Sequence, residues 1–342
     1  MELGNQIKAL RRSRGITQET LAEKLGVSPQ AVSKWERSAA MPDVQLLPEL
    51  SACFGVTIDE LFALSDETRM TRIQNMLWDQ RELSAEDVEG AERFLLDRAG
   101  REKEDHRPYE LLAALHNHKA EEHRRRAEVY AKAALTRNAE CNSAYSELVA
   151  AMGGRCPDWC VSNHYRLTRW MEDFLADHPD NVRAMLWLLD QLLDDQRFEE
   201  AETWCCRLAQ VDHTFRVPLY RGMICWYRGD RAAAADIWAQ MQRDFPDDWL
   251  VCFSMGDMMA RASRFDEAIA YYRQGMAVQP RPRYTDGITS IAQICEITGD
   301  IPGAIAARQE EIGMLAEDWG TTTGEMVDRQ HREIRRLEQL LR

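Results

Sequence analysis

The chain has 342 residues, 45% hydrophobic and 29% charged, with few glycines and prolines, a profile that fits a helix-rich globular protein of about two domains. A net charge of −14 excludes a protein that coats nucleic acid with its whole surface. No run approaches the length of a membrane helix and no signal-peptide segment opens the chain. Nine cysteines scattered through apolar helical pattern read as the reduced, buried hydrophobes of a cytoplasmic protein.

Local helix signals are dense near the N-terminus. Thr17 caps a helix whose apolar positions Leu21, Ala22 and Leu25 keep helical spacing until Gly26, the left-handed residue that stops it. Ser28 caps the next helix, Pro29 takes its first position, and Ala31, Val32 and Trp35 form its buried stripe. So tight a turn makes the two helices cross steeply and demands a small residue at the crossing, which Ala22 supplies. Pro29, Gln30, Ser33, Lys34 and Arg37 are left on a free, polar face. Residues 3–42 also carry Lys8, Arg11, Arg12, Arg14, Lys24, Lys34 and Arg37 against only Glu19, Glu23 and Glu36, a positive patch on an acidic chain.

Residues 1–65 resemble the Cro-like, xenobiotic-response-element family of helix-turn-helix domains, an all-α fold of five helices. Leu3 to Arg14 resembles the first helix, Ile16-Thr17-Gln18 the start of the second, Pro42-Asp43 with Leu46, Leu47, Leu50 and Phe54 the fourth, and Thr57 to Phe62 the closing helix. The resemblance implies double-stranded DNA as partner. Gln18 would bond a phosphate, Gln30, Ser33 and Lys34 would face base edges, and Arg37 would touch backbone, with Ser28, Pro29 and Arg11 completing the contact set. Where the family often has Asn-Gly after the third helix, this chain has Arg37-Ser38.

Ala63 to Arg69 is a polar boundary. Helical spacing resumes at Thr71, and Ser84 with Asp87 signals a capped helix running to Gly100. Arg101 to Asp105 reads as a solvated connector. Residues 107–137 are predicted as two amphipathic helices, separated within the charged stretch from Lys119 to Arg126.

The second half is periodic. Ala201, Ala234, Ala268 and Ala304 each follow a short turn at steps of 33, 34 and 36, while Gly222 and Gly256, Trp238 and Tyr272, and Pro246 and Pro280 each stand 34 apart. This pattern resembles the tetratricopeptide repeat, whose paired helices need a small residue at their crossing, an aromatic one turn later and Pro to close. Units 215–248 and 249–282 match best, 181–214 and 283–318 flank them, and Thr321 to Arg342 is predicted as a terminal capping helix. The first helix of each pair would line the concave side. That makes Arg183, Trp187, Tyr220, Arg221 and Arg261 candidate contacts for a peptide or small effector.

Cys156 and Cys160 with His164 have a spacing that could gather two sulfurs and an imidazole, but zinc usually takes four ligands from paired motifs, so packing is the expected role. Cys205 and Cys206 point in different directions on one helix. His106, His116, His118 and His123 read as a solvated helical face. No phosphate loop, metalloprotease motif or nucleophile elbow is present, and no cofactor, metal or catalytic residue is assigned.

The sequence thus predicts an all-α chain: a helix-turn-helix domain over 1–65, a helical linker over 66–106 and a tetratricopeptide-like α-solenoid over 107–342. The layout resembles Gram-positive peptide-responsive regulators, which implies a homodimeric, non-enzymatic transcriptional regulator with effector or partner sensing in the repeats. The alternative is an adaptor whose repeats recruit a protein partner.

Overall fold

The computed structural model describes residues 2–62, 65–155 and 158–342, and among these every regular element is helical. The chain forms two compact units, residues 1–123 and 124–342.

The first unit opens with α1 (Glu2–Ser13), α2 (Gln18–Lys24), α3 (Pro29–Glu36), a 3-10 turn (Val44–Leu46), α4 (Leu47–Phe54) and α5 (Ile58–Leu61). Five helices this short cannot hold themselves in water. They form because Leu3, Ile7, Leu21, Val32, Trp35, Leu50, Phe54 and Leu61 converge in one buried core. The ends are fixed locally: Thr57 and Glu60 exchange hydrogen bonds in a capping box that starts α5, and Gly55 in the left-handed region closes α4.

Next come α6 (Asp66–Asp79), α7 (Ala85–Arg101) and α8 (Arg107–Arg137). Ser84 caps α7 as expected, accepting from the Asp87 N–H. The expectation of two helices over 107–137 is corrected to one: α8 runs unbroken through Lys119 to Arg126. That stretch has no Gly or Pro, consists mainly of good helix formers, and is stitched by Lys119 Nζ on Glu122 at 2.6 Å. The Arg101–Asp105 connector is not simply solvated either. Arg98 reaches Asp66 at 2.9 Å and Asp105 at 3.4 Å, and Arg107 reaches Glu67 at 2.8 Å. The hydrogen bond from Arg107 leads in holding the Asp105 carboxyl well below the usual carboxylate range.

In the second unit α9 (Asn142–Ala151), α10 (Trp159–Ser162) and α11 (Tyr165–Asp177) follow the end of α8. Then come four antiparallel pairs: α12 (Val182–Asp194) with α13 (Phe198–Val211), α14 (Arg216–Tyr227) with α15 (Arg231–Asp244), α16 (Trp249–Arg261) with α17 (Phe265–Val278), and α18 (Asp286–Ile297) with α19 (Ile301–Trp319). The last helix is α20 (Glu325–Leu340). The repeat logic is borne out in atoms. Ala201, Ala234, Ala268 and Ala304 have no exposed surface. A Cβ on Gly222 would stand 2.1 Å from Trp238 Nε1, and one on Gly256 would stand 2.6 Å from the Tyr272 ring, so the backbone of each first helix lies directly on the aromatic of the second. The turns between paired helices pass through the left-handed region at Gln196, Gly229, Ser263 and Gly299. The fold is a tetratricopeptide-like α-solenoid, and no described helix is long and apolar enough to cross a membrane.

Candidate nucleic-acid interface

The turn between α2 and α3 is built as its residue types dictate. Thr17 Oγ1 accepts from the Thr20 N–H at 3.2 Å, and Gly26, at φ +64°, lets the Val27 N–H turn back to the Ala22 carbonyl at 3.0 Å. Ser28 Oγ accepts from the Ala31 N–H at 3.2 Å and Pro29 opens α3. Ala22 is buried at the crossing, as are Val32 and Trp35 beneath α3. Gly4 was not singled out from the sequence, yet it sets how closely α1 approaches α3: a Cβ there would lie 2.1 Å from the Trp35 carbonyl oxygen. Its signal was a glycine inside a helical pattern, which costs stability unless another backbone comes close.

Ser28, Pro29, Gln30, Lys34 and Arg37 are exposed and Ser33 is half-buried, all on α3 and its two caps. Lys34 and Gln30 have no partner among the described residues, while Arg37 donates from Nε to the Ser33 carbonyl at 3.2 Å. The departure at Arg37-Ser38 keeps the turn: Ser38 itself adopts φ +55°, donating to the Trp35 carbonyl at 2.8 Å. The single acid of α3, Glu36, faces inward. Burial works against its charge, but hydrogen bonds from Arg11 and Gln18 outweigh that and hold its carboxyl below the ordinary range. The outer face of α3 is therefore positive and hydrogen-bonding, with no exposed acid on the helix.

Two of the expected contacts also have partners inside the domain. Arg11 braces the fold: its side chain is largely covered, bonded through Nε and Nη2 to Glu36 at 2.5 and 3.0 Å and through Nη1 to the Ile16 carbonyl at 2.8 Å. Gln18 is half-buried and donates from Nε2 to Glu36 at 2.8 Å, which fixes its amide at the start of α2. Neither pairing shows in sequence, because Glu36 meets Arg11 and Gln18 only through the fold.

Residues 7–61 match the helix-turn-helix family. An uncharacterized HTH-type transcriptional regulator of Methanocaldococcus jannaschii is 36% identical over 63 residues, 18% of this chain and 96% of that protein. The chain belongs to the helix-turn-helix family of transcriptional regulators. The HTH-type transcriptional activator BcrR of Enterococcus faecalis is 39% identical over 75 residues, 22% of this chain and 37% of that protein, so the chain spans little more than a third of this relative. Among solved structures, a tetratricopeptide repeat protein from Parabacteroides merdae is similar over 78% of this chain and 98% of that one, at 14% identity and a TM-score of 0.37. Bacillus thuringiensis PlcR, in complex with the peptide PapR7 and DNA, is similar over 98% of both chains at 12% identity and a TM-score of 0.27.

Beyond the helix-turn-helix, Arg183, Trp187, Arg221 and Arg261 are exposed on first helices of the pairs α12, α14 and α16. Arg183 and Trp187 share one face of α12, four residues apart. Tyr220 is corrected from a surface contact: its ring is buried and its hydroxyl donates to Asp190 at 2.6 Å, tying α14 to α12. Burial pushes the Asp190 and Asp257 carboxyls up, opposed but not reversed by hydrogen bonds from Tyr220 and Tyr272 and by the charge of Arg261. Trp204 and Trp238 are core, whereas Trp187 is mostly in solvent. Cys205 is buried and Cys206 exposed, and burial pushes the Cys205 thiol up to about 11. Cys156 lies outside the described residues. His164 is bonded by Nδ1 to Asp195 at 2.6 Å, and His118 by Nε2 to the Gln80 carbonyl at 2.8 Å.

Proposed function

We propose that the chain is a cytoplasmic, non-enzymatic regulator of transcription that binds specific duplex sites through residues 1–65, with residues 66–106 as linker and residues 107–342 for dimerisation and sensing. The observation that carries this is the outer face of α3, where Gln30 and Lys34 stand exposed without protein partners while the helix's one acid is buried. A helix presented so is suited to the major groove, with Gln30, Ser33 and Lys34 reading base edges and Arg37, Ser28 and Gln18 holding phosphates. Pro29, at the N-terminal tip, would add apolar contact.

In the repeats, Arg183, Trp187, Arg221 and Arg261 would meet an effector. Residues 66–342 carry nearly all of the net negative charge, which favours a cationic or neutral peptide over an anionic one.

The test is selection of genomic fragments on the full chain, followed by footprinting of the recovered sites. Lys34→Ala should weaken binding by about 1–3 kcal/mol and relax preference at one base position, whereas Arg37→Ala should weaken it evenly across sequences. Unaltered site-specific footprints after Gln30→Ala and Lys34→Ala together would show that α3 is not the reading helix.

A further inference from the structure

Glu36 is the one acid of α3 and its last residue, with its side chain 2% exposed. A carboxylate accepts hydrogen bonds and donates none, so its neighbours must present N–H groups. Arg11 of α1 does so twice, Nε to Oε1 at 2.5 Å and Nη2 to Oε2 at 3.0 Å, and this fork locks the plane of the carboxylate. Oε2 is thereby a fixed acceptor beside the first residue of α2, and Gln18 gives it one Nε2 hydrogen at 2.8 Å. An amide in water turns either end outward with little preference. Here it cannot, because with Oε1 in place of Nε2 a lone pair would face a buried negative charge. Glu36 therefore sets which end of the Gln18 amide is which. The second Nε2 hydrogen has no partner among the described residues, and the side chain is half-exposed.

We propose that Glu36 is a positioning residue for DNA binding: it touches no DNA itself and holds Gln18 so that a free N–H, not the amide oxygen, meets a backbone phosphate. Phosphate oxygens only accept, so an amide turned the other way would lose the bond and set its oxygen against the phosphate charge. The carboxylate's own charge, which would repel DNA, is offset by the Arg11 guanidinium seated on it. One side chain from each of α1, α2 and α3 takes part. The phosphate contact at the start of α2 and the base-reading face of α3 thus share one frame, and a contact held in this way fixes register, not sequence. The inference rests on the reading of Gln18 as a phosphate contact within the regulator proposed above.

The experiment uses the full chain and one duplex recovered from random sequence by selection on the wild type, with affinity measured for Gln18→Ala, Glu36→Gln and the two together. Each single change should weaken binding about three- to tenfold, the worth of one hydrogen bond, and the double should lose no more than either alone. Methylphosphonates placed one phosphate at a time should locate a position at which both single changes cease to matter. A brace with no part in the contact would instead lower affinity on every such duplex alike. Because Glu36→Gln leaves Arg11 beside a neutral amide, Arg11→Met with Glu36→Leu is measured as well. Apolar replacement of a buried ion pair often keeps stability, and this folded chain should show the same loss at the same phosphate. Additive losses, the absence of any methylphosphonate that silences them, or a changed base preference in the Glu36 variants would overturn the positioning role. A wild type that selects no duplex overturns the regulator reading and this contact with it, whereas additive losses on a selected site overturn the positioning alone.

Discussion

Leu188 on α12 has no exposed surface, whereas Trp170 on α11, one helix earlier, has most of its ring in solvent. The contrast extends to their surroundings. In the two central pairs a small residue lies against a large one, Gly222 under Trp238 and Gly256 under Tyr272, and from α12 to α19 the pairs close into continuous cores. From residue 124 to 178 the helices form equally well but lack that complementarity: α9 buries Ala144 and α10 nothing. Helix formation and array packing are thus separate achievements. The first needs local propensity and caps; the second needs side chains that fit the neighbouring helix, such as the buried alanine that recurs at steps of 33 to 36 residues.

The largest expected effect tests that contrast directly. Leu188→Ala should cost about 2–5 kcal/mol in urea unfolding, the penalty of a cavity in a tight core. Trp170→Ala, measured at a concentration where the chain is monomeric, should stay within about 0.5 kcal/mol of wild type. Equal losses would show that residues 124–178 are as integral to the core as the repeats.

Smaller effects follow from the glycines. Gly222→Ala forces a Cβ onto a ring that cannot swing away, because Trp238 Nε1 is tied to the Leu219 carbonyl at 3.2 Å; overpacking of this kind costs about 1–3 kcal/mol. Gly313 on α19 has nothing within 4 Å of where its Cβ would be, so Gly313→Ala should raise stability by about 0.5–1 kcal/mol through helix propensity. The two substitutions are chemically identical, and thermal melts should move in opposite directions. A loss at both would mean that glycine serves α19 in some way the close approach does not describe.

How much of this was legible in sequence follows the same division. The α2–α3 turn could be read residue by residue, since Thr17, Gly26, Ser28 and Pro29 act on backbone groups within four positions of themselves. The repeat alanines could be read because periodicity repeats one local solution. The bracing role of Arg11 could not: its partner Glu36 is 25 residues away, and a basic residue in a basic segment gives no sign of an acid that only the fold brings to it. Tyr220 was misplaced for the same reason, its phase on α14 set by Asp190 on a neighbouring pair. The single helix α8 was missed because a charged run resembles a connector, although its side chains are good helix formers.

The smallest effect concerns the turns that join paired helices. Gly229 and Gly299 occupy the left-handed position in two of them, but Gln196 and Ser263 occupy it in the other two, at φ +59° and +57°. A side chain there costs about 1–2 kcal/mol, while glycine gives back about 0.4–1 kcal/mol by freeing the unfolded chain. The Gln196 side chain is exposed and makes no hydrogen bond among the described residues, and the one bond of its backbone N–H, to the Leu193 carbonyl at 3.1 Å, is open to glycine as well. Gln196→Gly should therefore raise stability by about 0.5 kcal/mol, and Gly229→Ala should lower it by a similar amount, both read as shifts in the urea midpoint at unchanged slope. If Gln196→Gly lowers stability, the turn before α13 is being held by its side chain, and the four turns cease to be equivalent copies of one backbone solution.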